Sequence, residues 1–193
     1  METYNQLVSN RYLIGIGFFK IPAILPCMPT SPDTSAGCPI DGLLRMAGDR
    51  WSLLILRDAF YGVRRFDGFQ QHLGISKKIL AQRLRQLSEA GFLNRTMYQE
   101  RPQRFEYRLA AKGVDLFPVL LSMSRWGNRW LAEPGNEWLQ LRHTGCGHVS
   151  EPTVVCSECG ERLTPARVKP LPGPAASAED VRKLARAVKK SSA

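Results

Sequence analysis

The segment from residue 143 to residue 160 concentrates side chains that bind metal ions. It contains two similar phrases, HTGCG beginning at His143 and CSECG beginning at Cys156. In each phrase a ligand-type residue, two spacers and a cysteine precede a glycine, so that a tight turn can present both ligands to one ion. The pattern predicts a tetrahedral Zn²⁺ site with one histidine and three cysteine ligands: His143, Cys146, Cys156 and Cys159.

Two alternatives to this ligand set remain open from the sequence. His148 is also close to Cys146, although His143 reproduces the spacing of the second phrase. A Cys156–Cys159 redox pair without metal is the other alternative. Four ligands at paired spacing favour zinc, and residues 140–164 resemble a zinc ribbon.

The predicted zinc is expected to be structural. A catalytic zinc keeps one position open for water and has a general base close by, whereas four protein ligands fill the shell here. The nearby acids, Glu151, Glu158 and Glu161, lie in a segment too small to enclose a substrate. About 20 residues cannot bury enough surface to fold alone, and metal binding supplies on the order of 10 kcal/mol. A zinc-dependent enzyme is therefore only a remote alternative.

The composition of the whole chain favours a polyanionic partner. Lys and Arg outnumber Asp and Glu by 27 to 17, which gives a formal net charge of +10. Such a balance is typical of nucleic-acid binding rather than of an enzyme with acidic substrates. The five cysteines are odd in number and mostly clustered with histidines, which indicates metal binding in a reducing compartment. We therefore expect a cytoplasmic protein.

An apolar run near the N-terminus, YLIGIGFFKIPAILP at residues 12–26, has roughly the outline of a signal peptide. Lys20 and two prolines interrupt the run, and it is shorter than the ~20 apolar residues that span a bilayer. We expect no membrane association. Because Met28 follows directly, residues 1–27, including Cys27, are better explained as upstream sequence included by an early start codon.

The elements between residues 38 and 91 are predicted to be helical. IDGLLRMAG, from residue 40, has helical periodicity and ends at Gly48, after which Asp49 can cap a second helix. A short extended piece then leads to Asp67, predicted as the next N-cap, and Gly74 ends that helix. The few residues of LGIS separate it from the following helix, which forces the two helices to cross steeply, as in a helix-turn-helix.

The last helix of this series, about residues 76–90, has two distinct faces. Three leucines, Leu80, Leu84 and Leu87, share one stripe at about 100° per residue. The opposite stripe is polar or charged, and its members are Lys78, Gln82, Arg85 and Glu89. Ser76 is the predicted N-cap, and Gly91 follows the C-terminus. The sequence thus predicts a helix that leucines anchor and that presents hydrogen-bonding and cationic groups outward.

Period-2 alternation replaces the helical period after Gly91. Residues 92–110 predict a β-hairpin with a basic tip, QERPQR. Residues 74–110 contain eight Lys or Arg and three Glu, so this segment carries half of the net charge of the chain. A long helix from about residue 111 to 132 should follow, started or kinked by Pro118. Its apolar seam is wider than a small domain needs and predicts a partner chain: Leu116, Val119, Leu120, Met123, Trp126 and Trp130.

The predicted fold class is mainly α with a small β-hairpin wing, a winged helix-turn-helix, plus a small C-terminal zinc-ribbon-like module. An α-helix fits the major groove of DNA, and a hairpin tip can reach the neighbouring groove or backbone. Four stretches together resemble the HxlR family of bacterial transcription regulators, which are winged-helix relatives of the MarR group. They are CPI at residue 38, GDRWSLLILRDAF at 48, RRFDGFQQHLGISKKILAQRLRQLSEAGFL at 64 and YQERPQRFEYRLAAKGVDLFPVL at 98.

The resemblance implies a homodimer, joined by the N-terminal and long C-terminal helices, that binds a partly palindromic operator in double-stranded DNA. By the same resemblance the DNA contacts come from the helix of residues 76–90 in the major groove and from the wing, about residues 94–109. The implied contact residues are Ser76, Lys77, Lys78, Ala81, Gln82, Arg85, Arg101 and Arg104. Gln82 suits adenine and Arg85 guanine, whereas Ser76 and Lys77 suit phosphates. Arg83 and Arg108 are better explained as solvated surface charges.

Cys38 lies where many members of this family keep a cysteine that senses oxidants or electrophiles. A helix N-terminus can lower a thiol pKa, although neighbouring Pro39 and Asp41 supply no positive charge. The alternative function is therefore a redox- or electrophile-responsive regulator that switches through Cys38 or the zinc thiolates.

The sequence predicts four parts. Residues 1–37 form a flexible or wrongly included extension, and residues 38–132 form the HxlR-type winged-helix domain for DNA binding and dimerisation. Residues 140–164 form the zinc-ribbon-like module, and residues 165–193 are a linker and basic tail expected to be disordered.

Overall fold

The structure of the chain is a computed structural model that describes residues 38–133 and 135–182. The predictions about the N-terminal extension, residues 1–37, and about the tail after residue 182 lie outside the described residues. None of the helices in the described part is both long and apolar enough to cross a membrane.

Helices dominate residues 38–133, and a single antiparallel hairpin interrupts them. The elements in chain order are α1 (Pro39–Ala47), α2 (Arg50–Phe60), α3 (Phe66–Leu73), α4 (Lys77–Glu89), β1 (Leu93–Gln99), β2 (Arg104–Leu109), α5 (Ala111–Val114) and α6 (Phe117–Leu131). The predicted mainly helical fold with a β-hairpin is confirmed.

Several predicted helix boundaries are also confirmed. The Asp49 carboxylate accepts hydrogen bonds from the backbone N–H groups of Trp51 (3.1 Å) and Ser52 (3.2 Å), and so caps α2. Gly74 ends α3 in the left-handed conformation (φ +63°), which a glycine adopts without strain. Ser76 then caps α4 by accepting from the N–H of Ile79 at 3.4 Å.

The start of α3 differs from the prediction, because Arg65 rather than Asp67 is its N-cap residue. The backbone before α3 is held extended by the wing: the N–H of Tyr107 donates to the carbonyl of Arg64 at 2.7 Å, and Arg65 forms an isolated antiparallel bridge with Glu106. The helix begins directly after this tie. Asp67 lies in the first turn instead, where a carboxylate still favours the helix dipole.

The predicted single helix from residue 111 to 132 is wrong, since α5 and α6 are separate helices. The helix is interrupted at Asp115 and Leu116. Pro118 is the second residue of α6, a position that suits a residue without an N–H. Gly113 explains how closely α5 packs, because a Cβ at this position would collide with the carbonyl oxygen of Phe92.

The core lies between the helix-turn-helix and the hairpin. The three leucines of the predicted inward stripe of α4 are fully buried, as are Phe69 of α3 and Ile55 and Leu56 of α2. Phe92, just before β1, is 1% exposed and joins the hairpin to this core. Burial of the leucine stripe fixes the rotation of α4, and therefore determines which of its residues face outward.

Helix α6 has two faces with different surroundings. Within the predicted seam Leu116 is buried, whereas Val119, Met123, Trp126 and Trp130 are between 41% and 64% exposed. On the opposite side of the helix, the Asn128 side chain donates to the carbonyl oxygen of Leu139 at 2.7 Å. One face is therefore an open apolar stripe, and the other holds the segment that follows the helix.

Residues 135–182 are built differently from the rest of the described chain. No residue among them is buried. Two isolated antiparallel bridges, Arg142 with Val149 and Val155 with Arg162, mark two short hairpins, and a 3₁₀ turn covers Pro165–Arg167. Backbone hydrogen bonds hold this region together, because it has no apolar interior.

Candidate nucleic-acid interface

The outward face of α4 presents five of the eight predicted contact residues. Lys77, Lys78, Ala81, Gln82 and Arg85 are all exposed. Because the leucine stripe is buried on the other side, these side chains occupy one continuous surface of the helix. Ser76 is exposed at the N-terminus of α4, where backbone N–H groups and the helix dipole favour an anion.

A groove of about 670 Å³ runs between this face of α4 and the hairpin. One wall contains Lys78, Ala81, Gln82 and Arg85, and the other contains Arg95 and Tyr107. Arg85 lies 3.9 Å from Glu89 across one turn, a loose pair between exposed side chains that contributes little. The groove therefore combines cations with hydrogen-bonding groups on a rigid helix.

Arg83 is on the same helix but is differently engaged. Its Nε lies 3.1 Å from a carboxylate oxygen of Asp49, and its Nη1 donates to the side-chain oxygen of Gln86 at 2.7 Å. These contacts tie α4 to the N-terminus of α2. Arg83 therefore lies outside the contact face, but it is a partly buried, ion-paired side chain rather than the predicted solvated surface charge.

The remaining two predicted contacts lie at the tip of the hairpin. Arg101 is in the turn and Arg104 begins β2, and both are exposed. The Gln99 side chain donates to the carbonyl oxygen of Arg101 at 2.9 Å, which helps to shape the turn. The structure therefore separates the contact residues into a helix group and a hairpin-tip group.

The hairpin neutralises its own carboxylate at Glu106. Arg108 donates to Glu106 at 3.1 Å, and Arg65 lies 3.4 Å from its other oxygen. The hydrogen bond from Arg108, with a smaller contribution from Arg65, lowers the pKa of Glu106 below its ordinary value. The carboxylate thus stays charged and paired, and the rest of the hairpin surface keeps its positive character.

Two residues that line the groove, Arg95 and Tyr107, are not among the predicted contact residues. Arg95 is directly opposite Tyr107 in the hairpin register, and its guanidinium lies 3.5 Å from the ring centroid of Phe105. This stacking orients Arg95 beside the groove. The available signal was the period of the strand, because Arg95 falls two residues after the buried Leu93.

A buried carboxylate fixes the first helix of the helix-turn-helix to α2. Asp58 is fully buried; one of its oxygens accepts from Arg57 Nε (2.9 Å) and Nη2 (2.8 Å), and the other lies 2.8 Å from His72 Nδ1. Arg57 also lies 5.8 Å from the ring centroid of Trp138 in the C-terminal region. The sequence does not predict this cluster, because His72 reaches Asp58 from a separate helix.

The cysteine and histidine residues of the C-terminal region are brought together in pairs. His143 Nδ1 lies 3.3 Å from Cys146 Sγ. In the second pair, hydrogen bonds from the backbone N–H groups of Cys159 and Glu158, together with the Cys159 thiol, lower the pKa of Cys156. Within residues 38–133 and 135–182, no group of three or more His, Cys, Asp or Glu forms a metal site. The four-ligand site therefore stays a prediction.

Cys38 is exposed at the N-cap position of α1, directly before Pro39. An oxidant can reach the thiol in this position. Its sensing role stays a prediction.

Comparison with known proteins identifies one family. The profile of the HxlR-like helix-turn-helix family matches residues 46–134. An uncharacterized HTH-type transcriptional regulator of Mycobacterium tuberculosis is 44% identical over 131 residues, which cover 68% of this chain and 83% of that protein. Another, from Synechocystis, is 40% identical over 121 residues and covers 62% of this chain and 87% of its own length.

Two solved structures share the fold. The candidate transcription factor PA1607 has a TM-score of 0.63 at 37% identity, covering 70% of this chain and 95% of its own. The candidate transcription factor PA1374 of Pseudomonas aeruginosa has a TM-score of 0.56 at 38% identity, covering 76% of this chain and 99% of its own. The likeness to PA1374 covers 76% of the 193 residues, which is more residues than precede the end of the profile match at residue 134. It therefore extends into the C-terminal region.

Proposed function

Because the chain belongs to the HxlR-like helix-turn-helix family and is thus a transcriptional regulator rather than an enzyme, we propose that it binds operator DNA sequence-specifically as a homodimer. In this proposal α4 enters the major groove and the hairpin acts as the wing on the flanking groove or backbone. The observation that carries the proposal is the continuous exposed face of α4, on which Lys78, Gln82 and Arg85 border the groove beside the hairpin.

The proposed contacts divide into two classes. Gln82 can donate to and accept from adenine, and Arg85 can donate twice to guanine, so these two side chains select bases. Ser76, Lys77, Lys78, Arg101 and Arg104 neutralise or hydrogen-bond phosphates and position the protein. Ala81 is small enough to let the helix approach the bases closely, and it offers its methyl group to thymine.

The proposed dimer uses the exposed apolar stripe of α6 together with α1. Ile40 and Leu44 of α1 are exposed, as are Trp126 and Trp130 of α6. Exposed apolar side chains that share one helix stripe are typical of a protein–protein contact surface. A two-fold dimer would cover the stripe and place two copies of α4 on successive major-groove faces.

The proposed organisation keeps the predicted divisions. Residues 38–132 supply DNA binding and dimerisation, residues 140–164 supply a small accessory module, and residues 165–193 form a linker and tail. The cytoplasmic location stays a prediction from cysteine usage.

The test begins with selection of an operator from a random oligonucleotide pool by the full-length protein, followed by fluorescence anisotropy. We expect Gln82→Ala and Arg85→Ala each to weaken binding to the selected operator by about 1–3 kcal/mol and to relax the preference at one base position. Arg104→Ala should weaken binding to all sequences equally and reduce the salt slope by about 1.

The matched control is Arg83→Lys, which changes an arginine of the same helix that is already engaged by Asp49. It should leave the operator affinity within about twofold, because lysine keeps the positive charge beside Asp49 and residue 83 lies outside the contact face. If Arg83→Lys weakens binding as much as Arg85→Ala does, or if no sequence is enriched, α4 is not the recognition helix.

The redox-responsive alternative makes a different prediction for the same assay. Mild oxidant should change the operator affinity of the wild-type protein, and Cys38→Ser should abolish that response if Cys38 is the sensor. An unchanged affinity after oxidation of both proteins contradicts the alternative and leaves the DNA-binding proposal intact.

A further inference from the structure

The two cysteine-containing hairpins of the C-terminal region repeat one backbone design at a constant shift of 13 residues. In the first, the N–H of His143 donates to the carbonyl of His148 at 2.9 Å, and in the second the N–H of Cys156 donates to the carbonyl of Glu161 at 2.8 Å. The flanking bridges follow the same shift, Arg142 with Val149 and Val155 with Arg162.

The tight turns inside the hairpins repeat as well. The N–H of Gly147 donates to the carbonyl of His143 at 2.7 Å, and the N–H of Gly160 donates to the carbonyl of Cys156 at 2.9 Å. Both glycines have φ +73°, a conformation that favours glycine. This turn allows the side chains of its first and fourth residues to bind one metal ion, which is the arrangement of a metal-binding knuckle.

The shift of 13 residues decides between the two histidines. With this shift, His143 corresponds to Cys156 and Cys146 corresponds to Cys159, whereas His148 corresponds to Glu161. His148 therefore occupies the position whose carbonyl oxygen closes the hairpin, and His143 occupies the position of a ligand. The distance of 3.3 Å between His143 Nδ1 and Cys146 Sγ agrees with this assignment.

Apolar burial does not stabilise these hairpins. No described residue from 135 to 182 is buried, so neither hairpin is held by apolar packing. Short hairpins are at best marginally stable in water, and a small segment of this kind ordinarily needs a metal or a disulfide. The donor set of three thiolates and one imidazole suits Zn²⁺.

We propose that His143, Cys146, Cys156 and Cys159 bind one structural Zn²⁺ that locks the two hairpins together and thereby fixes the first hairpin against the back of α6. The pairs are separate in the structure, so the proposal includes closure of the hairpins about residues 150–154. Metal binding to such sites contributes free energy that offsets the conformational entropy lost when this short linker is ordered. The inference is independent of DNA binding.

Two polar contacts attach the first hairpin and the segment before it to α6. Arg125 of α6 lies 3.4 Å from the carboxylate of Glu151, which directly follows the first hairpin, and Asn128 binds the carbonyl of Leu139 before it. Between these contacts is a cleft of about 400 Å³. The Arg125 Nε is buried without a hydrogen bond, so this wall of the cleft contains a polar group. A zinc ion in the hairpins would set the position of this wall.

The test uses the purified full-length chain under reducing conditions, with metal content measured by elemental analysis and native mass spectrometry. We expect one Zn²⁺ per chain. His143→Ala should weaken zinc affinity more than about 100-fold, beyond the roughly 10–100-fold loss for an outer-shell partner, whereas the matched control His148→Ala should keep one tightly bound ion. Replacement by Co²⁺ should give the strong visible absorption of tetrahedral thiolate coordination.

A wild-type chain that binds no zinc at micromolar concentration overturns the proposal, and so does loss of zinc in His148→Ala but not in His143→Ala. Hydrogen exchange tests the attachment separately. Chelation should raise exchange at residues 139–163 by more than about tenfold and leave α4 unchanged, since α4 is held by the core. Equal exchange of residues 139–163 with and without zinc contradicts the locking role even if the ion is bound.

Discussion

The winged-helix region and the C-terminal region of this chain hold their functional side chains by different physical means. In the first, α4 is fixed by leucines with no exposed surface, and its outward residues follow from that burial. In the second, no described residue is buried, and ligand-type side chains depend on backbone turns. The comparison indicates that apolar burial positions the outward residues of α4 without any ligand, whereas the C-terminal hairpins position their His and Cys side chains through backbone turns.

The largest expected effect comes from deleting core atoms. Leu84→Ala removes a fully buried side chain of α4 and should reduce the free energy of unfolding by about 2–5 kcal/mol, because it loses apolar burial and leaves a cavity. The matched change Val154→Ala, at a side chain 56% exposed in the C-terminal region, should cost about 0.5 kcal/mol or less. Urea unfolding of both variants measures the difference. Equal losses would show that the two regions are stabilised alike.

Asp58 is an exception in the winged-helix region, because this buried residue stabilises the fold through polar contacts rather than apolar packing. Asp58→Ala leaves Arg57 and His72 without their shared partner and should destabilise the fold by about 3 kcal/mol. Asp58→Asn is the control, because its amide oxygen keeps one acceptor at nearly the same volume and should lose less. Thermal unfolding monitored by circular dichroism measures both. A loss below about 0.5 kcal/mol in Asp58→Ala would mean that this cluster does not support the helix-turn-helix.

The smallest effect is expected on the surface of the wing, where polar contacts resemble those of the C-terminal region. The Arg108 hydrogen bond lowers the pKa of Glu106, so Glu106 stabilises the fold when it is ionised. This stabilisation is fully present above the ordinary Glu pKa of 4.5 and is lost as the pH falls through the lower folded value. Glu106→Gln should therefore lower the melting temperature at pH 7 but not in strong acid. A deficit that persists in strong acid points to packing instead.

The sequence predicted the parts of the fold that local pattern determines. The leucine stripe of α4, the cap at Asp49 and the stop at Gly74 each follow from residue type and spacing over a few positions. The start of α3 was mispredicted because the wing, about 40 residues later, holds Arg65 extended. Such a tertiary contact overrides local propensity. The break between α5 and α6, in contrast, agrees with the local signal of Pro118, the second residue of α6.

The candidate sites follow the same rule. The contact face of α4 was predictable because one helix supplies it, and the cysteine phrases were predictable because their spacing is local. The cluster of Asp58 with Arg57 and His72 was not, since His72 meets Asp58 only through the packing of α2 against α3. Arg95 was counted as a charge, but its place beside the groove depends on the pairing of β1 with β2.

The repeated hairpins have a consequence for how the chain would capture metal at different protein concentrations. Because the two pairs share one geometry, a pair from one molecule can complete the coordination of a pair from another and cross-link the chains. The linker of residues 150–154 opposes this, since a short tether keeps the second pair at an effective concentration of about the millimolar range. If zinc binds as proposed, closure within one chain should prevail over bridging between separate molecules until the protein itself approaches millimolar concentration.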